Sequence, residues 1–267
     1  MNARRSLLVV LVVVTLIPGL SMADEPKSAA EALKKGEQLL SAGDSDGAIA
    51  AYIEAIRLNP KYAEAYLDLG VVYAHTGNLD KAIADFTKAI EIDPQRVMAY
   101  CNRANAFSLQ GDYDRAIADC TEAIRLVPNS AIAYYNRGMA YGKKGNFDKE
   151  IEDYSEAIRL DPKNATSYFD RAVTYAHTNR LDEAIADFTE AIRLDPKNAT
   201  MHSSRGVAYG LKGDFDKAIA DFNKAIRLDP KDAQAYHDRG VAYEKKGEKA
   251  KAEEDFAQAK KLEDKPK

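Results

Sequence analysis

The chain has 267 residues, with 38 Lys+Arg against 42 Asp+Glu, four His, two Cys and no Trp. A 46% apolar content excludes disorder, and the acidic balance leaves no basic surplus for gripping a nucleic-acid backbone. Two cysteines can neither staple a disulfide scaffold nor supply a four-thiolate zinc site.

Residues 1–23 read as a secretory signal peptide. Arg4 and Arg5 form a positive start, Leu7 to Ile17 is an apolar run, and Pro18-Gly19 breaks it. Ser21 and Ala23 supply the small residues of a cleavage site. The run is too short to span a bilayer, so the mature chain is expected to begin near Asp24, with a short linker over 24–28. The expected destination is the periplasm, with secretion as the alternative.

From residue 29 onward the sequence repeats itself. Prolines stand at 60, 94, 128, 162, 196 and 230, each 34 residues from the last. The segment AIADFTKAI at 82–90 returns with small changes at 116–124, 184–192 and 218–226. This divides the chain into 29–62, 63–96, 97–130, 131–164, 165–198, 199–232 and 233–266, an array over 29–264 with no room for a separate catalytic domain. Each unit predicts two helices. In the fourth, Tyr134, Gly138 and Tyr141 fall on one face of a helix A that should stop at Gly145. Helix B follows with Ile151, Tyr154, Ala157 and Ile158 inward, ended by Asp161-Pro162, and Asn164 can cap the next unit. The turn position holds Gly in six units and Asn179 in the fifth. One hairpin cannot bury both faces, so the units must stack into a solenoid.

The positions that recur resemble those of the tetratricopeptide repeat family, in an exported, bacterial form. Position 4 is Tyr66, Tyr100, Tyr134, Tyr168, His202 and Tyr236, and position 8 is Gly or Ala throughout. Position 11 is aromatic from Tyr73 to Tyr243, position 27 is Ala in all seven units, and position 32 is Pro in six. Departures include Cys120 at an aromatic site and Glu150 at an Ala site. The resemblance implies an all-α, right-handed superhelical solenoid of seven repeats, whose concave groove is lined mainly by helix A. It implies binding of proteins or peptides and no chemistry.

In the seventh unit the Ile pair of positions 21 and 28 becomes Glu253 and Lys260. Its helix B is therefore read as its own cap, and the chain as a complete, monomeric array. No His, Cys or carboxylate spacing fits a metal or catalytic site, so no cofactor is expected. His75 and His177 lie three repeats apart, His202 stands in for a packing Tyr, and His237 faces the groove. Cys120 is expected to be a buried hydrophobe and Cys101 to point toward the groove, both as free thiols.

Position 7 carries Arg103, Arg137, Arg171, Arg205 and Arg239 after Lys35 and Leu69; position 23 carries Asp85, Asp119, Asp153, Asp187, Asp221 and Asp255 after Ala51. The Asp set starts one unit earlier. That offset favours pairs between units: Asp85–Arg103, Asp119–Arg137, Asp153–Arg171, Asp187–Arg205 and Asp221–Arg239. A same-repeat scheme would leave Asp85 facing Leu69 but would pair Asp255 with Arg239.

In the family, helix A positions 2, 5, 6, 9, 12 and 13 face the groove. These give Met98, Cys101, Asn102, Asn105, Ile132, Tyr135, Asn136, Met139, Thr166, Phe169, Asp170 and Val173 as candidate contacts, apolar and aromatic at the centre. Tyr135 and Phe169 are expected to reach solvent. Asn102 and Asn136 resemble the family's asparagine ladder, which holds a partner's backbone. The basic residues of the family's carboxylate clamp are missing, so the expected partner is a neutral-to-basic protein or peptide segment with apolar anchors. Neither nucleic acid nor, after cleavage, the membrane is an expected partner. The competing readings are a structural subunit of an envelope assembly and an accessory to an envelope enzyme, each using convex or edge surfaces.

Overall fold

The computed structural model describes residues 28–264, which form fourteen helices and no strand. The signal-peptide expectation falls on residues 1–23, outside the described residues. The helices form seven antiparallel pairs: α1 (Ala29–Ser41) with α2 (Ser45–Leu58), α3 (Ala63–His75) with α4 (Leu79–Ile92), and α5 (Val97–Leu109) with α6 (Tyr113–Leu126). Then come α7 (Ala131–Lys143) with α8 (Phe147–Leu160), and α9 (Ala165–His177) with α10 (Leu181–Leu194). The last pairs are α11 (Ala199–Leu211) with α12 (Phe215–Leu228), and α13 (Ala233–Lys245) with α14 (Lys249–Glu263).

Local chemistry sets each hairpin. The turn residue adopts positive φ, from 77° to 84° at the six Gly and 61° at Asn179. That left-handed residue lets the chain reverse while the next amide satisfies a helix carbonyl, as where the Asn146 amide donates to the Tyr141 oxygen at 2.9 Å. Asp44, Asn78, Asp112, Asn146 and Asp214 then cap the second helix by accepting an amide three residues on. Each such cap stabilises its helix by about 1 kcal/mol. Asn164 caps α9 by accepting from the Ser167 amide.

Packing between pairs makes the solenoid. Each second helix packs on the first helix of the next pair, and successive first helices also touch, as α3 with α5 and α11 with α13. Successive second helices make at most marginal contact. The chain therefore curves with its first helices inside, which puts their exposed side chains on the concave surface. Fully buried Ala residues and the rings of Tyr52, Phe86 and Phe188 fill the space between helices. Glu253 and Lys260 on α14 are exposed.

Cys101 departs from its expected place. It is fully buried among Ala123 and Ala133 and does not enter the groove. The reason is a contact the periodicity hides: position 5 packs onto position 24 of its own repeat. Tyr135 lies 5.5 Å from Tyr154, Phe169 5.6 Å from Phe188 and His237 5.5 Å from Phe256, between ring centroids. In the third repeat those two places hold Cys101 and Cys120, both buried free thiols. Burial, helped by Asp119, raises the Cys101 thiol to about 11. Burial likewise pushes Cys120 far upward. Both should resist iodoacetamide in the native protein at about pH 8 and react fully in denaturant. Mass-spectrometric labelling of either native thiol would contradict this packing.

Candidate functional site

The arginines of position 7 sit at the inner edge of the hairpins, and they correct the expected register. Each forks onto the Asp of its own repeat, not of the one before. Arg171 donates from Nε and Nη2 to Asp187 at 2.6 and 2.8 Å, and Arg103–Asp119, Arg137–Asp153, Arg205–Asp221 and Arg239–Asp255 repeat the geometry. The pairings Asp85–Arg103, Asp119–Arg137, Asp153–Arg171, Asp187–Arg205 and Asp221–Arg239 are not formed. An antiparallel hairpin reversing at position 15 brings position 23 level with position 7, so the partner lies across the turn. What crosses to the preceding repeat is the remaining nitrogen. Nη1 donates to Thr87, Thr121, Ser155, Thr189 and Asn223 in turn, at 2.5–3.3 Å. Aromatic rings flank the fork, with Arg171 Cζ 5.9 Å from Tyr168 and 5.7 Å from Tyr175. These charges are committed to the frame and unavailable to a partner.

The concave face is sparse in cations and uneven in apolar exposure. Met98, Ile132 and Val173 are 44–46% exposed, and Asn105 is exposed beside them. Val207, Leu211 and Val241 continue the exposed apolar surface into the last two repeats, beyond the stretch the sequence singled out. Tyr135 and Phe169, expected to reach solvent, are half-buried. Their rings rest on Tyr154 and Phe188, and the Tyr135 hydroxyl donates to Asp170 Oδ2 at 2.6 Å. Asn102 is half-buried, and Asn136 donates its amide to the Cys101 carbonyl at 3.4 Å. That amide braces one helix against the previous repeat.

Two clefts open between successive first helices of this face. One, about 400 Å³, lies between Met139 and Phe147 on one side and Val173 and His177 on the other, with Tyr154 at its base. Glu150 and Asp170 add two carboxylates to it. Glu150 is 91% buried at a place where every other repeat carries Ala. Gly142 makes room for it, since a Cβ there would lie 2.2 Å from Glu150 Oε1. Burial raises the pKa of Glu150, against hydrogen bonds from Thr174 and Tyr154, and burial raises Asp170 against the bond from Tyr135. The second cleft, about 370 Å³, is walled by Val207, Leu211, Phe215, Phe222 and Val241 with Asp238 at its rim. Sequence reading missed it, though Gly210 and Phe215 repeat Gly142 and Phe147 at the same repeat positions.

No catalytic or metal-binding arrangement accompanies these clefts. Among the described residues no group of three or more His, Cys, Asp or Glu could hold a metal ion. His202 is buried beside Asp221 at 3.7 Å as part of the packing, and His75 and His177 lie three repeats apart. No described helix is long and apolar enough to cross a membrane.

Family profiles decide what the repeating hairpins are. Tetratricopeptide repeat profiles match residues 33–97, 101–165, 154–186 and 233–266, and a TPR repeat profile matches 175–213 and 211–247. The chain belongs to the tetratricopeptide repeat family. Such an array is a protein-interaction scaffold and not an enzyme. Among solved structures, MamA is similar at 31% identity, over 62% of this chain and 96% of its own, with a TM-score of 0.56. YrrB, described as a TPR protein with an unusual peptide-binding site, is 25% identical over 70% of this chain and 96% of its own, with a TM-score of 0.57. A tetratricopeptide repeat protein from Parabacteroides merdae shares the fold at 23% identity, over 89% of this chain and 94% of its own, with a TM-score of 0.67. No curated protein matches the chain.

Proposed function

We propose that this tetratricopeptide repeat protein is an exported scaffold of the cell envelope that binds an extended peptide segment of a partner protein in its concave groove. The observation that carries the reading is the apolar surface left open on the inner helices. Met98, Ile132 and Val173 are nearly half exposed on a face whose arginines are already paired, beside the Asp170 carboxylate that Tyr135 hydrogen-bonds. Side chains of this kind supply the anchoring area of peptide recognition, and YrrB offers a precedent in a related array for a peptide-binding site. The shortage of free cations on this face favours a neutral-to-basic partner segment.

The test uses substitutions that other repeats already carry. Thr occupies the place of Ile132 in the fifth repeat, and Asn occupies the place of Val173 in the third. Peptides selected from a displayed random library on the purified protein should lose at least tenfold in affinity for the variant Ile132→Thr plus Val173→Asn, with far-UV circular dichroism unchanged. Undiminished binding by the folded variant would move the function to the convex or edge surfaces, as a structural or accessory subunit would use them.

Export rests on Arg4-Arg5, the apolar run and the small residues before Asp24. Fractionation and N-terminal sequencing should find a form beginning near Asp24 outside the cytoplasm. A full-length chain held in the membrane fraction would overturn this part of the proposal.

A further inference from the structure

The two concave clefts are the same site built twice. Met139, Phe147, Tyr154, Asp170 and Val173 of the first correspond, two repeats on, to Val207, Phe215, Phe222, Asp238 and Val241 of the second. Gly at position 12, Phe at position 17 and Asp at position 6 of the following repeat coincide at these two joints and at no other in the array. The difference in their depth is Glu150 in the first cleft, replaced by Ala218 in the second, while at the rim Lys143 and His177 give way to Leu211 and Lys245.

That difference sets what each cleft can hold. The first presents two carboxylates in an apolar frame, and the position 7 arginines that might neutralise them are forked onto other aspartates. Lys143 and His177 stand at its mouth, so the cleft is acidic in its depth and not at its rim. Glu150 is kept at a site that otherwise takes Ala, and Gly142 gives up its side chain to admit it. Thr174 and Tyr154 meet part of its hydrogen-bonding need, and a cation entering the cleft would offset the remaining cost of burying its charge. The second cleft has an apolar lining, with one carboxylate, Asp238, and one ammonium, Lys245, at its edge.

Resting on the groove reading above, we infer that the two clefts read one extended partner segment at two points, a Lys or Arg side chain in the Glu150–Asp170 cleft and an aliphatic or aromatic side chain in the Val207–Val241 cleft. Packed helices lie roughly 8–10 Å apart. Equivalent sites two repeats apart are then about 16–20 Å from one another along the inner face. An extended chain advances about 3.3 Å per residue, so the two anchors fall about five or six residues apart.

A phage-displayed library of random peptides about twelve residues long, enough to span that distance in extended form, is selected on the purified protein and on two variants. Glu150→Ala installs the residue of every other repeat, and Val207→Asn installs the residue of the third. Selected peptides should carry a basic residue and an apolar one at the stated spacing. Synthetic fluorescein-labelled copies should lose at least tenfold in affinity to Glu150→Ala, and a copy with the basic residue changed to Ala should no longer distinguish that variant from the parent. Val207→Asn should act in the same way on the apolar anchor. Peptides that depend on Ile132 and Val173 but lack the basic residue, or keep their preference for it in Glu150→Ala, would overturn this inference and leave the groove reading standing. A selection yielding no peptide that depends on Ile132 and Val173 would overturn both.

Discussion

Replacing Asp187 with Leu is expected to lower the stability of the array by about 3–5 kcal/mol, the usual consequence of stranding a buried guanidinium. Arg171 and Asp187 are only 17% and 11% exposed, and the fork supplies two charge-assisted hydrogen bonds at once. Arg171→Leu strands the carboxylate instead and should cost a similar amount. The double change should recover a large part of either loss, because two apolar side chains leave no charge unpaired. A double-mutant cycle read by urea unfolding checks this. Coupling between Arg171 and Asp187 should exceed about 1.5 kcal/mol, while Arg171 with Asp153 should show close to none. A larger coupling for Asp153 would mean that the forks bridge repeats in solution. Because Nη1 of Arg171 also donates to Ser155 at 2.8 Å, the single Arg171 change should loosen the joint to the fourth repeat as well. Amide hydrogen exchange in α8 should then quicken in Arg171→Leu more than in Asp187→Leu.

Asp85→Ala should act in the opposite direction and stabilise the protein at neutral pH. In the second repeat position 7 is Leu69, so the half-buried Asp85 carboxylate lacks the fork that holds its equivalents. Burial raises its pKa from 3.8 to about 6, with Lys81 pulling weakly the other way. An acid whose folded pKa is raised binds its proton more tightly in the native state. The cost of ionising it is absent below about pH 4, grows as pH climbs through 6, and is complete above that. A shift of this size corresponds to about 3 kcal/mol if fully buried, and partial exposure brings the expected gain nearer 1–2 kcal/mol. Urea midpoints of Asp85→Ala and the parent should diverge at pH 7.5 and converge near pH 4. Equal differences at both pH values would show that the gain comes from helix propensity and not from a charge. Ala stands at this position in the first repeat, so the substitution introduces nothing foreign to the fold.

How far the sequence reached can be judged residue by residue. Repeat length, the helix pairs and the positive-φ turn at Asn179 were all legible in the sequence, because they depend on spacing and on residues acting within a few positions of themselves. Register across the hairpin was the first thing to escape. The one-repeat offset between the Asp and Arg series reflects a substitution at Leu69, whereas the partner is chosen by height above the turn. Exposure within the groove was the second. Position 5 points inward on any helical wheel, yet Tyr135, Phe169 and Cys101 are drawn down onto position 24 of the same repeat. Only the tertiary structure decides between a side chain that lines a groove and one that floors it, because the answer depends on what the opposing helix leaves open. The clefts follow the same logic: Gly142 and Gly210 are ordinary small residues in the sequence, and become openings only where a neighbouring first helix stands beside them with Val173 or Val241.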